Sequence, residues 1–166
     1  ENNNNFCTGD LDKEFQDLTE TLGKNHISYH YIDENICKKY GKVNGNTFIV
    51  GKCAYSCLIL PKMHTMSSST NKLLQEFVNN GGKIVLYKGK PSYLEGDRYN
   101  YPYLKGNCSL KELKEQSRVK IYGGGSFRST LRRDENGREF LYIVNLGKST
   151  KAKIFLDGKN NLIDFD

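Results

Sequence analysis

Leu58–Tyr87 reads LILPKMHTMSSSTNKLLQEFVNNGGKIVLY. The apolar run from Tyr55 to Leu60 has the texture of a strand buried on both faces, and Pro61 ends it. Ser67 or Ser68 is placed to cap a helix whose apolar stripe is Leu73, Leu74, Phe77 and Val78. Gly81-Gly82 terminate that helix, and Lys83–Tyr87 is the next buried strand. A strand, a short connection, a helix and a second strand predict a right-handed crossover between parallel partners. In open α/β sheets ligands gather beyond the carboxyl ends of such strands. Here that edge would carry Lys62, Met63 and His64 on one loop, with no obvious nucleophile there, and Lys88 to Tyr93 on the next.

Upstream, Leu11, Phe15, Leu18 and Leu22 repeat at helical spacing, with Asp10 as a first-turn cap and Gly23 as the stop. His26–Asp33, HISYHYID, alternates and is rich in β-formers, which predicts a strand. ENICKKYG then reads as a short helical turn closed by Gly41. Asn44-Gly45 signals a tight turn, with Thr47–Val50 as one arm of a hairpin and Lys42-Val43 as the other. Downstream, Gly89–Cys108 is a long loop rich in Tyr, Pro and Gly, of a length that usually serves function or moves. Ser109-Leu110-Lys111-Glu112 fits a capping box, and Arg118–Tyr122 a strand. After the hinge-like triplet Gly123-Gly124-Gly125 the runs alternate between turn signals, which predicts antiparallel strands. The division expected is therefore 1–9 as a linker or frayed segment, 10–122 as an α/β domain, and 123–166 as an antiparallel hairpin or meander, part of a β-sandwich. The fold class expected is α/β, with a mainly parallel sheet of three to five strands and a C-terminal antiparallel β element.

The 166 residues are 37% hydrophobic and 27% charged, a globular balance long enough to bury a core. No apolar run approaches the ~20 residues of a membrane helix, so no membrane partner is expected. The chain opens on ENNNN without a Met or a signal-peptide pattern, and is expected to be a piece of a longer protein. A net charge of +6 pulls weakly toward polyanions, but the lysines are scattered, which argues against nucleic acid. Five cysteines at irregular spacing favour reduced, buried thiols over a disulfide framework. Reduced thiols point to the cytoplasm, with an extracellular location left open. Asn107-Cys108-Ser109 fits a glycosylation acceptor, which matters only in a secretory pathway that glycosylates.

The residues that could carry chemistry fall short of doing so. Cys53 follows a strand and a glycine, as a nucleophile on an elbow would, yet Ala54-Tyr55-Ser56 leads into another strand rather than a helix. Cys57 lies in an apolar run, where a small hydrophobe is the default. His26 and His30 on a strand would stand roughly 13 Å apart, too far to share one metal ion. The glycines at 81–82 and 123–125 precede strands and not the helix that a phosphate cradle needs. Asp33, Glu34, Glu95 and Asp97 are expected as solvated surface rather than a facing catalytic pair. Arg128, Arg132, Arg133 and Arg138 form a basic hairpin diluted by Asp134-Glu135. Tyr93, Tyr99, Tyr101 and Tyr103 could stack on sugar rings, but packing against their own or a neighbouring domain is favoured. No catalytic residue, metal ligand or cofactor is therefore expected; the candidates for ligand contact are His64, Lys88, Tyr93 and Tyr101.

Laid out in order, ISYHYIDEN, VNGNTFIVGKCAYSCLILP, a Ser/Thr-capped helix and LLQEFVNNGGKIVLYKGKPSYLEG resemble an auxiliary module of large bacterial glycoside hydrolases. The module is the glutamine-amidotransferase-like, flavodoxin-like domain of β-galactosidases and α-rhamnosidase-like enzymes. The likeness spans about residues 10–156. Its landmarks are Asp33, Gly45, Gly51, Tyr55, Pro61, Phe77, Gly81, Gly82 and Pro91. A β-sandwich often follows in those proteins, which Arg138–Leu146 suits. The resemblance implies a non-catalytic accessory domain that shapes or flanks an active site elsewhere, or mediates subunit contacts. Its partners would be other domains of the same protein, with carbohydrate and a homo-oligomer left open. The glycosidase carboxylates of the family belong to a separate barrel, and Cys53 departs from the amidotransferase elbow. A central strand usually precedes the first helix; here only ENNNNFCTG does. A carbohydrate-binding module using the 89–108 loop and a degenerate amidotransferase-type hydrolase at Cys53 are the alternatives.

Overall fold

The computed structural model describes residues 8–157 and 159–165, the latter in their backbone alone. The chain packs as two compact units. Of the described residues, one unit comprises 8–18 together with Tyr31–Ser109; the other comprises Thr19–His30 and those from Leu110 onward. Helix α1, Thr8–Lys24, contributes its first part to one unit and its last part to the other. Leu18 and Leu22, one turn apart, are both buried, as their spacing predicts. The expected linker, residues 1–9, falls outside the described residues except for Thr8 and Gly9, which begin this helix, and Cys7 falls outside them too.

In the first unit, α2, Glu34–Tyr40, is capped by Asp33, whose carboxylate accepts the amides of Asn35 (2.8 Å) and Ile36 (2.9 Å). Strands β1, Gly41–Asn44, β2, Thr47–Val50, and β3, Cys53–Tyr55, then form an antiparallel meander. Its two connections each hold two residues and begin with a left-handed glycine, Gly45 at φ 55° and Gly51 at φ 58°. Glycine at the first central position is the type II′ requirement, whose twist suits a hairpin. Strand β4, Cys57–Leu60, follows, then the two-residue β5, Thr65–Met66, then helix α3, Ser68–Asn79, and β6, Lys83–Leu86. β4 and β6 pair in parallel, Cys57 opposite Lys83 and Leu60 opposite Leu86, around the crossover the sequence predicts.

Helix α3 shows its signals plainly. Ser67 is the cap, accepting the Thr70 amide at 3.3 Å. At the other end Gly81, φ 81°, donates to Val78 O at 2.9 Å, and Gly82 donates to Phe77 O at 2.8 Å. Those two bonds are the pair that closes a Schellman motif. The buried face of α3, Leu74 and Phe77, meets Phe48, Leu60, Met66, Ile84, Tyr101 and Leu104 in one core. Phe48 and Phe77 pack edge to face with centroids 5.7 Å apart, worth about 0.5–1.5 kcal/mol beyond the area buried.

The long loop is not featureless. β7, Tyr93–Leu94, pairs in parallel with β5 and antiparallel with β8, Asp97–Arg98. Glu95 and Gly96 both lie at positive φ (51° and 99°), as a type I′ turn demands.

In the second unit, the six-residue α4, Leu110–Glu115, precedes β9, Val119–Gly123. β10, Phe127–Arg133, and β11, Glu139–Asn145, form an antiparallel ribbon. β12, Thr150–Leu156, pairs antiparallel with both β9 and β13, Lys159–Phe165. Val119, Phe127, Ala152, Ile154 and Leu22 are its buried apolar residues.

This architecture overturns the expected layered, flavodoxin-like α/β class with a mainly parallel sheet of three to five strands. Among the described residues only β4–β6 and β5–β7 pair in parallel, and the sheets are small and mostly antiparallel. The reason is topological. A parallel pair needs a crossover of about a dozen residues, and two-residue turns can close only antiparallel pairs. Gly45 turns the chain back in the hairpin that Asn44-Gly45 signals, and Gly51 turns it back once more into β3, so this stretch adds antiparallel strands and none to a parallel sheet. His26–Asp33, expected as a strand, joins no ladder; within it Ser28 instead accepts the Leu131 amide at 3.1 Å through its hydroxyl.

Candidate functional site

Where β5, β7 and β8 come together, an open depression of about 470 Å³ is lined by Lys90, Pro91, Ser92, Tyr93, Arg98, Tyr99 and Asn100. Its shape follows from the hairpin. Arg98 stands opposite Tyr93 in register, and Tyr99 N donates to Ser92 O at 3.0 Å, adding a rung beyond the ladder. Lys90 reaches across to Asn100 Oδ1 at 3.0 Å. Pro91 is fully buried below. Tyr99 is 37% exposed and lies edge-on to Tyr101 at 4.8 Å.

The four candidates for ligand contact take different places. Tyr93 lines the depression and is half-buried. Tyr101 lies beneath it at 0% exposure, its hydroxyl donating to Tyr93 O at 2.6 Å, so its ring has no open face. His64 contributes its carbonyl, which accepts the amides of Ser92 and Tyr93 at 3.0 Å each and so ties the hairpin to β5. Lys88 sits apart with its backbone at φ 59° and its ammonium 3.0 Å from Asp17 Oδ2. That hydrogen bond raises its pKa. Tyr103, the fourth ring of the loop, is bonded through its hydroxyl to Asn71 Oδ1 at 2.6 Å. Burial, then the neighbouring phenols Tyr101 and Tyr99, push its pKa up.

Three of the four acids considered as a catalytic pair, Asp33, Glu34 and Glu95, act on helix starts. Asp33 caps α2, while Glu34 Oε1 accepts both the amide (2.8 Å) and the hydroxyl (2.9 Å) of Ser67. Glu95 Oε1 accepts the Ser68 amide at 3.0 Å, which lowers its pKa. Negative charge at a helix start is stabilising. Asp97 pairs in register with Leu94. Cys53 is exposed at the first position of β3, with strand rather than helix after it. Cys37 is buried on α2; that burial, with Asp33 and Glu34, raises its pKa. Among the described residues no three His, Cys, Asp or Glu side chains gather at metal-ligating range. Among the described residues no helix is long and apolar enough to cross a membrane.

In the second unit, the basic hairpin is engaged internally. Arg133 Nη2 lies 2.6 Å from Glu139 Oε1, Arg138 Nε lies 2.7 Å from Asp134 Oδ2, and Arg132 contacts the His30 ring. Arg118 grips Glu139 with both terminal nitrogens at 2.7 Å and also pairs with Asp157. Glu139 is thereby held down at about 2, first by Arg118 and then by Arg133. His26 Nδ1 lies 3.2 Å from Ser129 Oγ, and burial, then Arg128 and Lys114, lower its pKa.

Sequence reasoning passed over one feature. Glu95-Gly96 after Tyr93-Leu94 signals the hairpin that brings Arg98 and Asn100 beside Lys90.

Small antiparallel sheets around one β-α-β crossover, with a second β unit, define the class of fold. No family model matches this sequence, and no curated protein matches it. Among solved structures the fold is similar to part of the crystal structure of an apo exo-carrageenase GH42 from Bacteroides ovatus, with a TM-score of 0.56 and 16% sequence identity. The match covers 89% of this chain and 22% of that one, so this chain spans about a fifth of its neighbour's length. At that identity the likeness is one of fold.

Proposed function

We propose that this chain is an accessory domain of a glycoside hydrolase, flanking an active site carried elsewhere or making contacts between subunits, with no bond chemistry of its own. The observation that carries the reading is the fold match, in which nearly all of this chain corresponds to a minor part of a carbohydrate-active enzyme. Two features support it. The acids at Asp33, Glu34 and Glu95 are engaged as helix-end acceptors. On β11, Phe140, Tyr142 and Val144 expose alternate side chains in a row that Leu146 continues, at 43–64% exposure. Contiguous exposed apolar surface of this kind marks a place where something else packs.

The test is the reading frame that contains these residues. It is expected to encode a glycoside hydrolase domain. The whole protein should then hydrolyse aryl glycosides, the isolated chain should not, and deletion of residues 8–165 should change KM or the oligomeric state. A reading frame without a glycoside hydrolase domain, or turnover by the isolated chain, would overturn the reading.

The depression at Tyr99 favours a second role within the same protein, as a carbohydrate-binding surface. A partly exposed ring beside Lys90, Arg98 and Asn100 offers stacking and hydrogen bonds to a pyranose. Retention on an oligosaccharide array separates the two roles.

A further inference from the structure

Given the accessory role proposed above, on which this step rests, we propose that the outward face of the β9–β12 sheet binds an acidic polysaccharide, one with carboxylate or sulfate on its pyranose rings. This surface lies in the second unit and shares no residue with the depression at Tyr99. Successive side chains of a strand point to opposite faces. Val119 on β9, with Ala152 and Ile154 on β12, are buried on the inner face. Lys120 and Tyr122 on β9, with Lys151, Lys153 and Phe155 on β12, hold the alternate positions; all but the half-buried Phe155 are exposed. The register sets a cation against a ring twice: Lys153 stands opposite Tyr122, and Lys120 opposite Phe155. The rings meet on one diagonal, edge to face at 5.4 Å and 88°. The lysines take the other diagonal, where side chains start about 7–8 Å apart. Tyr122 stays 58% exposed. At the next rung Asp157 N donates to Arg118 O at 2.9 Å, and the Arg118 guanidinium is taken up by Asp157 and Glu139. Lys151 extends the row opposite Asp164 of β13. Among the described residues no carboxylate pairs with Lys120 or Lys153, so these are the cations open to a ligand.

A ring flanked by ammonium groups on an open sheet selects its ligand by charge and shape. The C–H face of a pyranose packs on the Tyr122 ring, and its anionic substituent reaches Lys153 across the rung. A neighbouring sugar of the same polymer sets its anion against Lys120 on the diagonal. Ammonium groups donate hydrogen bonds and accept none, so this face offers more to an anionic sugar than to a neutral one. Anions repeated along one chain engage both lysines together, which favours a polysaccharide over a single acidic sugar. Single-stranded nucleic acid carries the same charge and flat rings, and is the competing ligand in the test.

The full chain is run in native affinity gels that contain polygalacturonate, dextran sulfate, neutral dextran or poly(dT). Retardation is expected with polygalacturonate or dextran sulfate and not with dextran, and it should weaken as salt is added. The polymer that retards identifies the substituent as carboxylate or sulfate. Tyr122→Ala and the double change Lys120→Gln/Lys153→Gln should each weaken that affinity about tenfold. Lys42→Gln/Lys105→Gln removes the same charge from exposed lysines of the first unit and should leave it unchanged. Urea midpoints close to that of the parent chain check that each variant folds. No retardation by either acidic polymer, equal losses in the two double variants, full retention by Tyr122→Ala, or tighter retention by poly(dT) would overturn the assignment. Retardation by a chain whose reading frame holds no glycoside hydrolase domain would sink the accessory role and leave this surface standing. A glycoside hydrolase domain beside a chain that ignores both acidic polymers would sink this surface alone.

Discussion

The hydroxyl of Tyr101 donates to the carbonyl of Tyr93 at 2.6 Å, and the ring that carries it is wholly enclosed. One tyrosine of the loop thus holds another in place from below. Tyr101→Phe leaves a buried carbonyl without its donor and is expected to cost about 1–3 kcal/mol. Tyr101→Ala also opens a cavity and should cost about 3–5 kcal/mol. Urea unfolding measures both, and a neutral Tyr101→Ala would contradict the placement.

The enclosed ring also moves the test of sugar binding to its neighbour. Tyr99→Ala removes a partly exposed ring at the edge of the depression without emptying the core. If the depression binds carbohydrate, Tyr99→Ala should lose retention on an oligosaccharide array while its unfolding midpoint stays near that of the parent chain. Equal retention in both would leave the depression without that role.

The phenols of Tyr101 and Tyr103 are both raised, chiefly by burial. The folded state therefore holds protons that the unfolded state releases from about pH 10 upward. The unfolded form binds fewer protons there, so stability falls as pH rises through that range and is fully present below it. Urea midpoints should be level between pH 7 and 9 and drop toward pH 11. Tyr103→Phe should flatten that drop, at the cost of its bond to Asn71.

Glu139 shows the opposite sign. Arg118 and Arg133 hold its carboxyl at about 2, below the ordinary 4.5. Its contribution is present above the unfolded value and is lost as pH falls toward the folded one. Carboxyl titration by NMR should find Glu139 ionised at pH 3.5, where ordinary glutamates are mostly protonated. Arg118→Ala should return it toward the ordinary value.

Gly81 closes helix α3 in the left-handed region. An L side chain there costs roughly 1–2 kcal/mol, so Gly81→Ala should lower stability by about that much. Gly82→Ala should cost more, because its Cβ would lie 2.5 Å from three carbons of the enclosed Phe77 ring. Unfolding of the two variants side by side reads the order.

What was legible in the sequence was what short-range chemistry fixes. Ser67, Leu74, Phe77 and Gly81-Gly82 announced helix α3 at both ends, and the strands on either side pair in parallel as their crossover requires. The alternation after Gly125 announced antiparallel strands, and β10 to β12 show them. The class of the first unit was not legible, because it depends on which strands are neighbours. Asn44-Gly45 announced its hairpin, but Gly51 was read only as a landmark, and it is the left-handed backbone there that turns the chain into a second hairpin. HISYHYID carries a strand's alternation and no ladder, since propensity records how a side chain fits a sheet and not whether a partner edge exists. At the candidate site, four tyrosines in one loop look alike in sequence. Only the packing separates Tyr101, enclosed, from Tyr99, open at the rim.

Asp33 and Glu34 are consecutive, yet each serves a different helix: Asp33 holds the first amides of α2, and Glu34 holds Ser67 before α3. Fraying at either helix start pulls on the same peptide bond. The consequence is kinetic. In deuterated solvent the first-turn amides of α2 and α3 should gain label on one shared timescale, and Glu34→Ala should split them into two.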